Sequence, residues 1–267
     1  MNLRITAQNA IFKMILLLRE ADMGLLSFFD KIPNTNEISG SFGEWMAKIY
    51  LKTLPGALVL PDVLIDGADG YTSQIDLIVI GNRGIYVVEM KMFDDAKIYG
   101  DTKKQKWNYY KHGKKYEIYS PLKQNQKHIE YLKIFLKEFG EIPFFSIITM
   151  ICEDFKISGE TDGKTVVCNS FPAMERGFYK IAEHKPEVLD DIKKHEIFDY
   201  IKNNQHMGKE ARTRHKKNIA AYKETLEEMK TQKICPYCKL ELVLRQGKNG
   251  EFYGCRNFPK CRYTLKK

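Results

Sequence analysis

The stretch Ser73-Gln-Ile-Asp76-Leu-Ile-Val-Ile80-Gly-Asn-Arg-Gly84-Ile-Tyr-Val-Val-Glu89-Met-Lys91 decides the fold. Two β-branched runs, Ile75 to Ile80 and Ile85 to Val88, flank Gly81-Asn-Arg-Gly84, whose glycines admit the positive φ of a tight turn, so the segment predicts a β-hairpin. Symmetric pairing about Asn82 and Arg83 sets Asp76 opposite Glu89 and Gln74 opposite Lys91. Strand alternation then gives these four residues one face with Ile78, Ile80, Ile85 and Val87, and leaves Leu77, Val79, Tyr86, Val88 and Met90 on the reverse. Opposed carboxylates about 5 Å apart repel. A Mg²⁺ or Mn²⁺ ion would offset the repulsion, since such ions take one or two carboxylates and keep several waters. The same spacing arises as a surface charge ladder, but here it interrupts dense β-branched runs and points to a cleft at the end of a sheet.

Outward from the hairpin, the chain alternates helical and strand periodicities. Trp45, Met46, Ile49 and Tyr50 recur at helical spacing from Phe42, with Glu44 beside that stripe. Residues 57–65 read as an edge strand, because Pro61 cannot donate to a ladder. A charged, aromatic connector carrying Trp107, Tyr109 and Tyr110 leads to a helix over Pro121 to Phe139, on which Gln124 and His128 share one side. His128 is read as a surface or core residue. Phe144 to Ile151 and Thr165 to Cys168 are strand candidates, and Pro186 to Ile201 an amphipathic helix. The polar, Lys-rich residues 203–232 suit a solvated connecting helix. The fold class is therefore α/β, a mixed central sheet flanked by helices, with a small module after it.

Charge is unevenly spread along the 267 residues. Residues 202–267 hold 17 Lys/Arg against 6 Asp/Glu, whereas residues 1–201 hold 26 against 28. A basic end on a near-neutral body suits polyanion binding, in which released counterions supply affinity. Lys13, Arg19, Glu20, Asp22 and Asp30 interrupt the one Leu-rich stretch, which excludes a membrane-spanning helix there. No small-residue cleavage site follows Met14 to Leu18, so the expected location is the cytoplasm.

Cys235-x₂-Cys238, a gap of ribbon length, and Cys255-x₅-Cys261 supply four soft ligands for tetrahedral Zn²⁺. Disulfides are the alternative, and a reducing cytoplasm argues against them. Cys152 and Cys168 have no metal-like partners and read as core residues.

Two resemblances follow from these motifs. Gly40-Ser-Phe-Gly-Glu44, Ser73-Gln-Ile-Asp76, Gly84-Ile-Tyr-Val-Val-Glu89-Met-Lys91, Ile98-Tyr-Gly100, Trp107 and Pro121-Leu-Lys-Gln124-Asn-Gln-Lys-His128 together resemble the nuclease-related domain (NERD), a branch of the PD-(D/E)xK nuclease superfamily. The resemblance covers residues 38–140 and implies a restriction-endonuclease-like core that cleaves DNA with Mg²⁺ or Mn²⁺. It implies that Asp76 and Glu89 bind the metal, helped by the Met90 carbonyl. Glu44 would be a further acidic ligand or water-positioning group, Lys91 would orient or help deprotonate the attacking water and stabilise phosphate charge, and Gln124 would steady the arrangement. Ile75 stands where the superfamily name has proline. The stretch from Cys235 through Arg262-Tyr is similar to the zinc finger of bacterial type I DNA topoisomerases, which implies DNA binding. Arg245, Lys248, Arg256, Lys260 and Arg262 are available for phosphates, and Tyr237, Phe252, Tyr253, Phe258 and Tyr263 for bases or for the module's own core.

The expected organisation is a helical segment over 1–39, a nuclease-like domain over 40–201, a basic helical linker over 202–233 and a zinc finger over 234–267. Two other readings remain open at this level. One is a nuclease fold that binds DNA without chemistry, and the other is an RNA-processing enzyme using the same site. Oligomeric state is open too; a homodimer would bring the two sites that cutting both strands usually takes.

Overall fold

The computed structural model describes residues 54–67, 71–93, 95–248 and 250–267. The expected N-terminal segment, the helix from Phe42 and Glu44 lie outside the described residues. The predicted hairpin is present as β2 (Thr72–Gly81) and β3 (Gly84–Met92), in the expected register from Gly81↔Gly84 to Leu77↔Val88. Gly84 closes the turn at φ 139°, where a Cβ would stand 2.3 Å from the Pro143 carbonyl oxygen. The turn is also tied down. Lys194 donates to Asn82 Oδ1, and Arg83 donates to the Ala182 and Glu183 carbonyls at 2.6 Å each.

Five strands form the main sheet in the order β1-β2-β3-β7-β9, with β1 (Leu58–Asp66), β7 (Phe144–Ile151) and β9 (Thr165–Cys168) completing it. β1 to β3 run antiparallel, whereas β7 and β9 join in parallel, so the sheet is mixed. The Pro61 strand is at the edge, as its missing donor requires. Both apolar faces are covered. Leu77, Val79, Tyr86, Val88 and Met90 pack with Met174, Phe178 and Ile181 of α2 (Phe171–Ile181). Ile78, Ile80, Ile85 and Val87 pack with Leu132 of α1 (Pro121–Phe135), Leu136, and Ile197 and Ile201 of α3 (Asp191–Asn204).

The aromatic connector proves to be strands. β4 (Ala96–Asp101), β5 (Lys106–Lys111), β6 (Lys114–Tyr119) and β8 (Asp154–Ser158) make a second sheet in the order β6-β5-β4-β8. Its inner face, including Ile98 and Trp107, packs on Ile148 and Met150 of β7. A third sheet, β10 (Leu242–Gly247), β11 (Gly250–Cys255) and β12 (Thr264–Lys266), belongs to the C-terminal module. The helix before it, α4 (Gly208–Thr231), is not simply solvated: Ala211 and His215 are buried, and Tyr222 meets Tyr71 edge to face at 5.3 Å. No described helix is long and apolar enough to cross a membrane.

Candidate active site and metal centre

The β2–β3 ladder stops at Leu77↔Val88, and the carboxylates lie just beyond it. Alternation breaks there. Ile75 and Ile78 both face α1, and so do Leu60 and Val63 on β1, so each strand changes face across the two residues between them. Asp62, with φ 54°, sits at that break opposite Asp76. Asp76 is therefore turned toward β3, where its Oδ2 accepts the Met90 N–H at 2.8 Å and takes the place of a ladder carbonyl. A strand residue directs its N–H and C=O to the same neighbour, so the Met90 carbonyl faces the same opening.

The break also corrects the expected position of Gln74. Its amide donates to Asp62 Oδ1 at 2.7 Å instead of sharing the face of Glu89 and Lys91. Ser73 takes that place, with its Oγ 2.6 Å from His128 Nδ1. Arg212 of α4 donates to the same Asp62 oxygen at 2.6 Å, and His215 of α4 pairs with Thr72 Oγ1 at 2.6 Å.

Glu89 is 0% exposed. Lys91 Nζ lies 2.5 Å from its Oε1 and His128 Nε2 lies 3.3 Å from its Oε2, yet neither oxygen has a partner in hydrogen-bond geometry among the described residues. A buried carboxylate in that condition carries a desolvation cost that a cation would relieve. The donor set therefore fits a hard divalent ion. Gln124 Nε2 stands 3.4 Å from His128 Nε2 on the next turn of α1. That helix is fixed to the sheet by Asn125, whose Nδ2 donates to the Val87 carbonyl and to Ser146 Oγ at 2.8 Å each. The structure thus brings Glu89, Lys91, Gln124 and His128 together, with Asp76 on the Met90 amide. Ser73, Asn125 and His128 lie in the stretches that carry the resemblance, and the structure packs them in or against this group. Apart from that resemblance, the Gln124-x₃-His128 spacing was the one available signal for them.

The cysteines form the second centre. One sulfur from each of Cys235, Cys238, Cys255 and Cys261 lies within 4.8 Å of all the others. Cys235 and Cys261 are 3.6 Å apart and Cys238 and Cys255 3.2 Å, too far for disulfides and near the edge of a tetrahedron built from Zn–S bonds of about 2.3 Å. These residues fit zinc. Among the described residues they form the one group of three or more metal-ligating side chains. The Leu240 N–H, first among several donors, holds the Cys238 thiol down at about 7. Burial pushes Cys152 and Cys168 up to about 11, as inert core thiols require.

Four of the module's five aromatics divide by exposure, with Tyr237 resting edge to face on Tyr263 at 4.9 Å. Tyr253, Tyr263 and Leu265 pack around the cysteines, while Tyr237 and Phe258 are about half exposed. Lys248, Arg256, Lys260 and Arg262 are exposed. Arg245 is engaged internally, donating to the Cys255 carbonyl at 3.1 Å with its guanidinium 5.6 Å from the Phe258 ring.

A mixed α/β body with an acidic sheet end, joined to a four-cysteine module, defines the class of protein. More particularly, residues 39–151 match the nuclease-related domain, and residues 232–267 match the topoisomerase DNA binding C4 zinc finger. An uncharacterized protein of Bacillus anthracis is 34% identical over 110 residues, which are 40% of this chain and 50% of that protein. DNA topoisomerase 1 of Methanocaldococcus jannaschii is 49% identical over 39 residues, 15% of this chain and 5% of the enzyme. Uncharacterized protein YrdD of Escherichia coli is 44% identical over 42 residues, 16% of this chain and 23% of that protein. The chain thus spans half or less of the length of these relatives. No solved structure matches it.

Proposed function

We propose that the chain is a metal-dependent deoxyribonuclease that hydrolyses phosphodiester bonds at the end of its main sheet and holds DNA with its zinc finger. The observation that carries this reading is the wholly buried, hydrogen-bond-deficient Glu89 carboxylate beside Lys91, inside a nuclease-related domain. Bound Mg²⁺ or Mn²⁺ would neutralise charge building on the phosphate and acidify a water. Asp76 and Glu89 would hold the ion, with the Met90 carbonyl and Glu44. Lys91, ion-paired with Glu89, would serve as a cation toward water and phosphate. His128 stands between Ser73 and Glu89, and Gln124 would steady the arrangement from the preceding turn of α1. Residues 40–201 would then be the cutting domain, and 234–267 the grip.

Purified protein incubated with supercoiled, linear and single-stranded DNA, and with RNA beside them, tests the reading. Cutting should require Mg²⁺ or Mn²⁺, stop with chelator, and fall by about 100-fold or more in Lys91→Ala with unchanged circular dichroism. Cutting that survives both chelator and Lys91→Ala contradicts the site. Binding without cleavage in every metal leaves a nuclease fold that only recruits to DNA, and preference for RNA moves the substrate class.

A further inference from the structure

Among the described residues, the second sheet packs with one face only. Pairing sets the open face in rows, Lys97 beside Tyr110 and Asp154, then Tyr99 beside Asn108 and Lys156. Tyr99 and Tyr110 are each 40% exposed and meet edge to face at 5.7 Å. On this face lies a pocket of about 260 Å³, lined by Lys104, Lys106 and Lys156 against one carboxylate, Asp101, with Tyr99, Asn108 and Ser158 among its other residues. Gly100 forms part of it and lets the Trp107 ring approach from the inner side, where a Cβ would come within 3.1 Å of the indole. None of the residues assigned to the carboxylate site or to the finger lines this pocket.

Exposed tyrosines among lysines suit single-stranded nucleic acid, whose bases stack on rings while ammonium groups meet phosphates. A duplex would hide the base faces. The lysines do hold partners, Lys104 with Asp101 at 3.3 Å, Lys106 with Glu117 at 2.8 Å and Lys156 with Asp154 at 3.9 Å, but such exposed pairs are weak and exchange readily for phosphate. The pocket is smaller than the roughly 300–1,000 Å³ that enclose a whole small ligand, and it suits one nucleotide of a passing strand.

We propose that the open face of the second sheet, centred on Tyr99, Lys104, Lys106 and Lys156, is a second binding surface for single-stranded DNA. This rests on the reading that the chain acts on DNA. The test is fluorescence anisotropy of the zinc-loaded full chain with a labelled twenty-nucleotide oligo-dT, without added Mg²⁺ or Mn²⁺, across a salt series. Tyr99→Ala should weaken binding about tenfold. The double variant Lys104→Gln and Lys156→Gln should flatten the log–log salt slope by about 1.4, at about 0.7 per lost phosphate contact. Photocrosslinking of wild type to a 5-iodouracil oligonucleotide should attach Tyr99 or Tyr110, a readout that needs no variant to fold. Unchanged affinity and slope with crosslinks confined to the finger overturn the proposal and leave DNA binding standing. A wild type without affinity for any oligonucleotide overturns both. Variants that change the sedimenting mass but not DNA affinity assign this face to self-association and overturn the proposal as well.

Discussion

Glu89 is a carboxylate without exposure and without hydrogen-bond geometry to its neighbours, held beside Lys91 and His128. The Lys91 ammonium at 2.5 Å offsets the cost of burying this charge. Glu89→Gln should therefore lower stability by about 1 kcal/mol, or about 2–4 °C in Tm, while cleavage is lost. Thermal denaturation and a plasmid assay on the same preparation check both halves. His215 gives a pH prediction. Burial first, then the charges of Arg212 and His128, lower its pKa, with Asp62 opposing. The unfolded chain thus binds this proton more readily than the folded one, so its contribution to stability is full above about pH 6.5 and shrinks as pH falls below it. Tm measured from pH 8 to 5 should fall more steeply in wild type than in His215→Gln. The sequence made the meeting of Glu89 and Lys91 legible because alternation along one strand is local information, whereas Asp76 lies beyond the paired part of the hairpin. The meetings of Ser73, His128 and His215 were not legible, because they depend on a strand break at Asp62 and on packing of two distant helices.

At the scale of elements, the hairpin carries the site and its turn carries the hairpin. Gly84→Ala would force a Cβ against the Pro143 carbonyl at a φ that side chains rarely adopt, and should cost about 2–4 kcal/mol in urea denaturation. A loss below about 0.5 kcal/mol would show that the turn can shift freely. The expected strands at 144–151 and 165–168 match the observed elements because buried parallel strands read as continuous apolar runs. The second sheet escaped notice for the opposite reason. β6 is exposed at Lys114, Lys115, Tyr116, Glu117 and Tyr119, so it offers little apolar pattern. The β5–β6 turn uses His112 and Gly113 at φ 50° and 73°, and His-Gly is a weaker turn signal than Asn-Gly or Asp-Gly.

At the scale of the whole molecule, a metal-stapled module of about thirty residues depends on its ion, because little more than Tyr253, Tyr263, Leu242 and Leu265 surrounds the cysteines. Cys238→Ser should remove the one zinc per chain and expose residues 232–267 to limited proteolysis. It should leave the turnover of saturating DNA unchanged and raise KM. α4 joins that module to the body through Arg212 and Asp62 and through Tyr71 and Tyr222. It read as solvated because Ala211, His215 and Tyr222 make only one narrow stripe on an otherwise charged helix.

The central claim is that Asp76 and Glu89 hold a divalent ion at the mouth of the main sheet, and calorimetric titration of Mn²⁺ into zinc-loaded protein tests it most directly. One saturable Mn²⁺ per chain in wild type, lost in both Asp76→Asn and Glu89→Gln with zinc content unchanged, is the predicted result. Absence of saturable binding in wild type, or equal binding in all three proteins, would contradict it.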